Sequence, residues 1–321
     1  MKLVIDTDTG SDDAVALMLA LGNPKVSVEL ITTVAGNVPL NLATENALAT
    51  VALMGSKVPV YSGMAKPITR ELHTAQNVHG PDGMSGAQIP RTHLKVDGTD
   101  GVTQLIEISK KFPGELTLVT LGPLTNIAAA LLQDPQMLHR FKDVYMMAGS
   151  PEGWGNVTPS AEFNVWCDPE SFKIVLNSGK RLIMVGWNIS RDAAVIGAEE
   201  EAKIRAIGTA RAAYVIDINE TLAIFCRDIT NLPGFDLPDP ITVAIAIAPE
   251  MIRKSEFVSM DVSCSEEMRG TLIIDRRHTA PAPNVDVVWE ADRDMFLNSL
   301  YEVCKDSSNP ANYIPAQRSG K

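Results

Sequence analysis

The chain has 321 residues, 45% hydrophobic and 21% charged, an ordinary globular composition with length enough for one large domain or two smaller ones. A formal charge of −11, with no run of Lys or Arg to offset it, excludes nucleic acid as a bulk partner while leaving room for a small nucleoside-like ligand. The four cysteines (Cys167, Cys226, Cys264, Cys304) lack Cys-x-x-Cys spacing, which excludes a zinc ribbon and a disulfide framework.

Leu3–Ile5 reads as a short buried strand with Asp6 and Asp8 at its carboxyl end. Gly10 and Ser11 form a turn, and Asp12 and Asp13 open an apolar helix running to about Leu21. Four carboxylates are thus crowded at one strand-to-helix junction. A helix N-terminus offsets roughly one charge, worth about 0.3–1 kcal/mol, so a cation is expected among them. The plain alternatives are a helix cap at Ser11 or Asp12 and a loop acid at Asp6. An EF-hand is excluded, because the glycine is misplaced and no Glu closes a twelve-residue loop.

Gly22-Asn23-Pro24 stops the first helix, and 26–34 reads as a strand rich in β-branched residues. A turn over 35–39 leads into a helix ending near Gly55, followed by a strand at 58–61. This βαβαβ opening of uniformly apolar strands predicts an α/β fold, an open and mainly parallel twisted sheet with helices on both faces. Ligands of such sheets lie beyond the carboxyl ends of the strands, where the four Asp and Asn37 fall. Residues 62–100 are rich in Gly, Pro, His and Asn without periodicity, and read as a long functional loop carrying His79.

Alternation resumes with a helix at 100–111, a strand at 116–121, a helix opened by 122–126, and a strand at 144–147. A second Gly-rich loop at 149–167 holds Trp154, Asn156, Glu162, Asn164 and Trp166. Asp168-Pro169 starts a helix. A strand at 181–185, helices over about 198–226, and a buried helix at 239–247 follow. Strands at 256–262, 271–275 and 285–289 and a final helix from Asp292 complete the chain, with a few antiparallel strands expected there. No repeat or linker interrupts it, so residues 1–321 read as a single domain. No apolar stretch is long enough for a membrane span, and Met1 runs directly into the first strand without room for a signal peptide, so a cytoplasmic setting is expected.

The polar residues at strand ends form one set: Asp6, Asp8, Asp12, Asp13, Asn37, His79, Asn156, Glu162, Asn164 and Asp239. Taken singly, each has a dull reading: Asn37 as a turn former, Asn126 and Asp239 as caps, His79 as a solvated loop residue. Their joint placement along one sheet edge favours function.

At these residues the sequence resembles the inosine-uridine preferring nucleoside hydrolases. Asp6-Thr-Asp8-Thr-Gly10-Ser-Asp12-Asp13-Ala is similar to that family's Asp-x-Asp-x-Gly-x-Asp-Asp-Ala signature. Supporting matches are Ala35-Gly36-Asn37, His79-Gly80-x-Asp82-Gly83, Leu121-Gly122-Pro123-Leu124-Thr125-Asn126, Ala161-Glu162-Phe163-Asn164 and Asp239-Pro240. The resemblance implies a Rossmann-like nucleoside hydrolase fold and hydrolysis of an N-glycosidic bond, releasing base and ribose, around one calcium ion (Ca2+). By matching position, Asp8, Asp13 and Asp239 would be carboxylate ligands and Leu121 a backbone-carbonyl ligand, with Asp6 orienting them from behind. Asp8 would act as general base on the calcium-bound water. Asp12, Asn37, Asn156, Glu162 and Asn164 would hold the ribose hydroxyls, and Met147 would line the sugar. The resemblance also implies a homodimer or homotetramer.

One position departs from the family pattern. Many members carry His immediately before the last calcium-binding Asp, and here that residue is Pro238. Help for the departing base then falls to His79 or to a stacking Trp154, Trp166 or Trp187. Two other functions compete. One is a haloacid dehalogenase-type phosphatase with Asp6 as nucleophile. The other is a catalytically silent protein that binds calcium and ribose.

Overall fold

The computed structural model describes residues 1–89 and 94–315. Positions 90–93, inside the predicted loop, lie outside the described residues.

The first strand, β1 (Lys2–Thr7), carries apolar residues on both faces: Leu3 and Ile5 point into one core cluster and Val4 into another. The neighbouring β4 (Leu116–Thr120) and β5 (Asp143–Met147) repeat this two-sided pattern, as Tyr145 and Met147 face one layer and Val144 and Met146 the other. A strand covered on both faces has no solvated side to mark with polar residues, which is why the alternation is missing from the sequence.

The remaining strands are β2 (Ser27–Thr33), β3 (Val60–Ser62), β6 (Leu182–Val185), β7 (Val195–Gly197), β8 (Gly234–Asp236), β9 (Ile252–Val262), β10 (Leu272–Asp275) and β11 (Val285–Ala291). Nine of them form one sheet in the order β10-β9-β11-β6-β5-β4-β1-β2-β3. All its pairs are parallel except those of β9, which runs antiparallel to β10 and β11. The mainly parallel α/β sheet with antiparallel strands near the C-terminus is as expected from the sequence. The two-stranded β7–β8 sheet was not foreseen, because each strand is only three residues long.

One face of the large sheet is covered by α1 (Ser11–Gly22), α2 (Leu40–Leu53) and helices from the second half of the chain. The other carries α4 (Gly101–Lys111), α5 (Thr125–Gln133) and α7 (Pro169–Leu176), with α3 (Gln76–His79) and α6 (Phe163–Cys167) as short turns beside the sheet edge. Then come α8 (Trp187–Ala193), α9 (Ala198–Ile207), α10 (Ala210–Asp217), α11 (Glu220–Phe225), a π-turn at Cys226–Thr230, α12 (Pro238–Ile247) and α13 (Arg293–Lys305). In α1 every residue from Ser11 to Ala20 is buried, and in α12 every residue from Asp239 to Ala246. A helix apolar all round is an interior helix, and at about 1.5–3 kcal/mol per buried Leu, Ile, Val or Met side chain, α1 is a main anchor of the fold. Their amino ends deliver Asp12, Asp13 and Asp239 to the carboxyl edge of the sheet. Among the described residues no helix is long and apolar enough to cross a membrane.

Three local expectations change. Asp6 lies within β1, not after it. Part of the 62–100 loop is the short helix α3, which ends on His79. The 149–167 loop is not continuous loop, since it contains α6, and Asn164 therefore sits on a helix. Five residues at a loop's end are too few for periodicity to register.

Candidate active site

The site is built where β1 ends. Asp6, Asp8 and Asp13 are fully buried, and Asp12 and Asp239 nearly so. Asp6 accepts hydrogen bonds at Oδ1 from Thr32 Oγ1 on β2 and, at 2.7 Å, from Asn126 Nδ2 on α5. Asn126 also donates to the Thr33 carbonyl and accepts from the Met64 amide, so it ties three segments together and does not cap α5. Asp8 Oδ2 accepts the Asn37 backbone N–H at 2.6 Å. Asp13 is held at both oxygens, by Thr7 Oγ1 at 2.6 Å, the Gly10 amide at 2.8 Å and Asn37 Nδ2 at 3.0 Å.

The spacing of the opening motif follows from these contacts. Thr7 lies between the two strand-end acids and fastens Asp13, while Gly10 begins the helix with an amide free to bond it. Two further glycines leave the space that Asp8 occupies. A Cβ on Gly36 would lie 2.1 Å from Asp8 Oδ2, and one on Gly122 would lie 2.6 Å from Oδ1. Both glycines are there for close approach, which explains the Gly of Ala35-Gly36-Asn37 and of Leu121-Gly122-Pro123.

Ligand oxygens of Asp12, Asp13 and Asp239 all lie within 4.8 Å of one another. Oδ1 of Asp8, of Asp12 and of Asp239 is buried without a hydrogen-bond donor, as is Asp6 Oδ2. An unpaired buried carboxylate oxygen is costly, and such oxygens beside the Asp12, Asp13 and Asp239 cluster fit a hard cation that takes oxygen ligands. Asp12, expected on the sugar, thus belongs to the same carboxylate cluster as Asp13 and Asp239. Burial is the leading cause of a raised carboxyl pKa at each acid, reinforced by its neighbours. Asp6 is pushed up to about 7, Asp12 and Asp13 to about 6, and Asp8 and Asp239 well above the usual range.

The sign of the pH dependence follows. These groups hold protons in the folded state that the unfolded chain releases near pH 4, so their stabilising protonation is lost as pH rises through about 6–7. A bound cation favours the ionised form. A cation bound among these acids is therefore expected to raise Tm more at about pH 8 than at about pH 5, measured against chelator-treated protein. A cation effect that is absent, or equal at both ends, would contradict this picture.

Above the acids lies a cleft open to solvent. Asp12, Asn37, His79, Leu121, Met147, Asn156, Glu162, Asn164 and Asp239 all line it, and among the described residues its lining contains no Lys or Arg. Asp8 and Asp13 are buried behind these lining residues. Glu162 caps α6: Oε1 accepts the Asn164 amide at 2.7 Å, and Oε2 accepts those of Gly149 at 2.7 Å and Val165 at 3.3 Å. Burial still raises its pKa to about 6. Asn164 Nδ2 donates to the Leu121 carbonyl at 2.7 Å and approaches Met147 Sδ at 3.2 Å. Asn156 Oδ1 accepts the Phe163 amide at 2.9 Å.

His79 Nδ1 is 2.9 Å from Ser11 Oγ and 3.6 Å from Asp12 Oδ1. Burial pulls its pKa down to about 4, against the opposing pull of Asp13 and Asp236, so the imidazole is neutral at pH 7. Of the three tryptophans considered, Trp187 lines the cleft, Trp154 is 57% exposed, and Trp166 packs against His73 and Arg269. Asp236 also lines the cleft. It was missed in the sequence; its only signal there is its position three residues before Asp239.

Residues 3–298 match the inosine-uridine preferring nucleoside hydrolase family. The chain belongs to that family. It is an enzyme of the N-ribosyl hydrolase class, as the opening motif implied. It is 34% identical over 302 residues to a pyrimidine-specific ribonucleoside hydrolase of Shewanella woodyi, covering 93% of this chain and 96% of the relative. Among solved structures, a plant nucleoside hydrolase superposes with a TM-score of 0.89 at 30% identity, covering 95% of this chain and 98% of the other. A purine-preferring ribonucleoside hydrolase from Gardnerella vaginalis gives 0.88 at 28%, covering 95% and 99%. One of these relatives is named for pyrimidines and another for purines, so base preference has to be read from this chain's own residues.

Proposed function

We propose that this nucleoside hydrolase cleaves the N-glycosidic bond of a ribonucleoside to free base and ribose, with calcium as its cofactor. The observation that carries the proposal is that Asp12, Asp13 and Asp239 bring carboxylate oxygens within 4.8 Å of one another beside the cleft, with Oδ1 of Asp8, Asp12 and Asp239 buried and without a donor among the described residues.

Asp8, Asp13, Asp239 and the Leu121 carbonyl would hold the ion, with Asp6 fixing β1 behind them. When bound, calcium supplies a positive centre that makes a nearby water more acidic and orients vicinal hydroxyls. Asp8 Oδ1, buried and without a donor, takes the proton of the attacking water as general base. Asp12, Asn37, Asn156, Glu162 and Asn164 hold the ribose hydroxyls. Glu162 is well suited to this, because three backbone amides fix its carboxylate before substrate arrives. Met147 packs against the sugar, and acceptors around the ring stabilise the positive charge of an oxocarbenium-like transition state. Pro238 begins α12 with a fixed φ, setting the direction of Asp239. Having no side-chain proton to give, it leaves His79 as the residue nearest to a leaving-group role, acting as a neutral N–H donor to the base. The same reading carries a homodimeric or homotetrameric assembly and a cytoplasmic setting.

The phosphatase alternative finds no support at its nucleophile. Asp6 Oδ1 is engaged by Thr32 and Asn126. A panel of purine, pyrimidine and modified nucleosides tests the proposal: with calcium present, free base and ribose are expected in equal amounts. Phosphate release from sugar phosphates without base release would favour the phosphatase. Ribose binding without turnover of any nucleoside would favour the silent protein.

A further inference from the structure

Several cleft residues belong neither to the acids nor to the proposed ribose contacts. They include Val78 from α3, Trp187 from α8, Leu222 and Phe225 from α11, Cys226 from the π-turn and Asp236 from β8. Apart from Asp236 and Thr230 of the π-turn, these residues are aromatic or apolar. Asp236 is 4% exposed. Its Oδ2 accepts two strong hydrogen bonds, from Trp187 Nε1 at 2.9 Å and Ser190 Oγ at 2.7 Å. An indole N–H can only donate, so that oxygen is fixed as an acceptor. Among the described residues Oδ1 has a single hydrogen-bond partner, the Cys226 thiol at 3.3 Å, and a thiol is a weak donor. The carboxylate is therefore locked by one oxygen while the other is under-satisfied in a desolvated wall.

With the ribose held among the acids and asparagines, this wall is what remains for the base. We propose that Asp236 is a specificity-determining residue whose Oδ1 accepts a hydrogen bond from an N–H group of the nucleobase, so that the enzyme selects bases presenting a donor at that edge. The proposal rests on the nucleoside hydrolase reading above. A base with an N–H there replaces the weak thiol donor and satisfies a buried acceptor oxygen. A base with a ring nitrogen or carbonyl oxygen instead brings two acceptors together without water, and sites built around one polar contact reject such analogues strongly. The flanking Trp187 and Phe225 provide flat apolar surface for a heterocycle of either size. Donor pattern rather than ring size would then decide what is hydrolysed.

The competing role for Asp236 is a structural tie between β8 and α8. Asp236→Asn separates the two, because the amide oxygen can still serve Trp187 and Ser190 while its NH2 faces the cleft in place of Oδ1, reversing the polarity offered to the base. The experiment measures kcat and KM for matched pairs that differ in one donor: adenosine with purine riboside, cytidine with its 4-deamino analogue, uridine with 3-methyluridine, and inosine with 1-methylinosine. In the wild-type enzyme the donor-bearing member of at least one accepted pair is expected to lead by tenfold or more in kcat/KM. That lead is expected to shrink to less than about threefold in Asp236→Asn. A ratio unchanged by the substitution, with both members slowed alike, would overturn the proposal and leave the structural tie. Cys226→Ala provides a second reading that does not depend on how well Asp236→Asn folds. It removes the donor competing for Oδ1 and is expected to raise the same ratio; no change would count against the proposal. A wild-type enzyme that turns over no nucleoside would instead sink the hydrolase reading on which this rests.

Discussion

Asp8→Ala is expected to lower nucleoside hydrolysis by on the order of 10³-fold or more, while the protein stays folded. The variant removes the proposed general base and an oxygen offered to the cation in one step. Stability is expected to move the other way or little, because Asp8 in the cation-free protein is a buried acid whose pKa is raised first by desolvation and then by Asp13. Removing it relieves repulsion among Asp8, Asp12, Asp13 and Asp239. Steady-state kinetics read alongside thermal unfolding check both halves. A variant with near wild-type kcat would show that the proton goes elsewhere, and one that simply unfolds would show that Asp8 is structural.

The second large effect is expected at a residue with no functional group. Gly36→Ala would place a methyl carbon 2.1 Å from Asp8 Oδ2 and 2.7 Å from Pro123 Cδ, so the Asp8 carboxylate must swing off the Asn37 amide. We expect a loss of roughly 10–100-fold or more in kcat/KM, as for residues that orient a catalytic carboxylate, and a stability cost of about 1–3 kcal/mol for overpacking. Gly55→Ala is the matching control. Gly55 lies far along the chain at the end of α2, and its Cβ would meet only Pro310 at 3.1 Å, although its φ of +64° brings a strain of its own. If Gly36→Ala retained full activity, the close approach to Asp8 would not matter to catalysis.

Much of this site was legible in the sequence because its parts are local. The acids of 6–13 belong to one strand, one turn and one helix start, and their contacts with Thr7 and Gly10 are made within the motif itself. The uniformly apolar strands likewise announced a parallel sheet covered on both faces. What the sequence did not disclose depends on distant partners. Asn126 looked like a cap, yet its side chain reaches Asp6, 120 residues away. Gly36 looked like part of a turn and Gly122 like part of a helix start, and only the folded chain shows Asp8 lying between them. Asp236 is a single acid on a three-residue strand, and its meaning comes from Trp187 and Ser190, which lie more than 40 residues earlier. Trp187 itself could be singled out only as one of three equivalent tryptophans until burial separated them.

The departure at Pro238 has a physical consequence for the base. With a proline at that position and a neutral His79, the cleft is rich in acceptors and poor in strong acids, and among the described residues its lining has no Lys or Arg. Such a cleft suits stabilisation of the ribosyl cation better than forcible protonation of the base. The enzyme is therefore expected to favour nucleosides whose bases leave readily, a tendency that Asp236 then narrows by donor pattern.

The claim at the centre of this account is that the buried aspartates act on the glycosidic bond by way of a calcium ion. The most direct measurement is base and ribose release by chelator-stripped protein as calcium is added back. The account predicts negligible turnover in the stripped enzyme and recovery that saturates with one ion bound per chain. Full turnover without any divalent cation would contradict it.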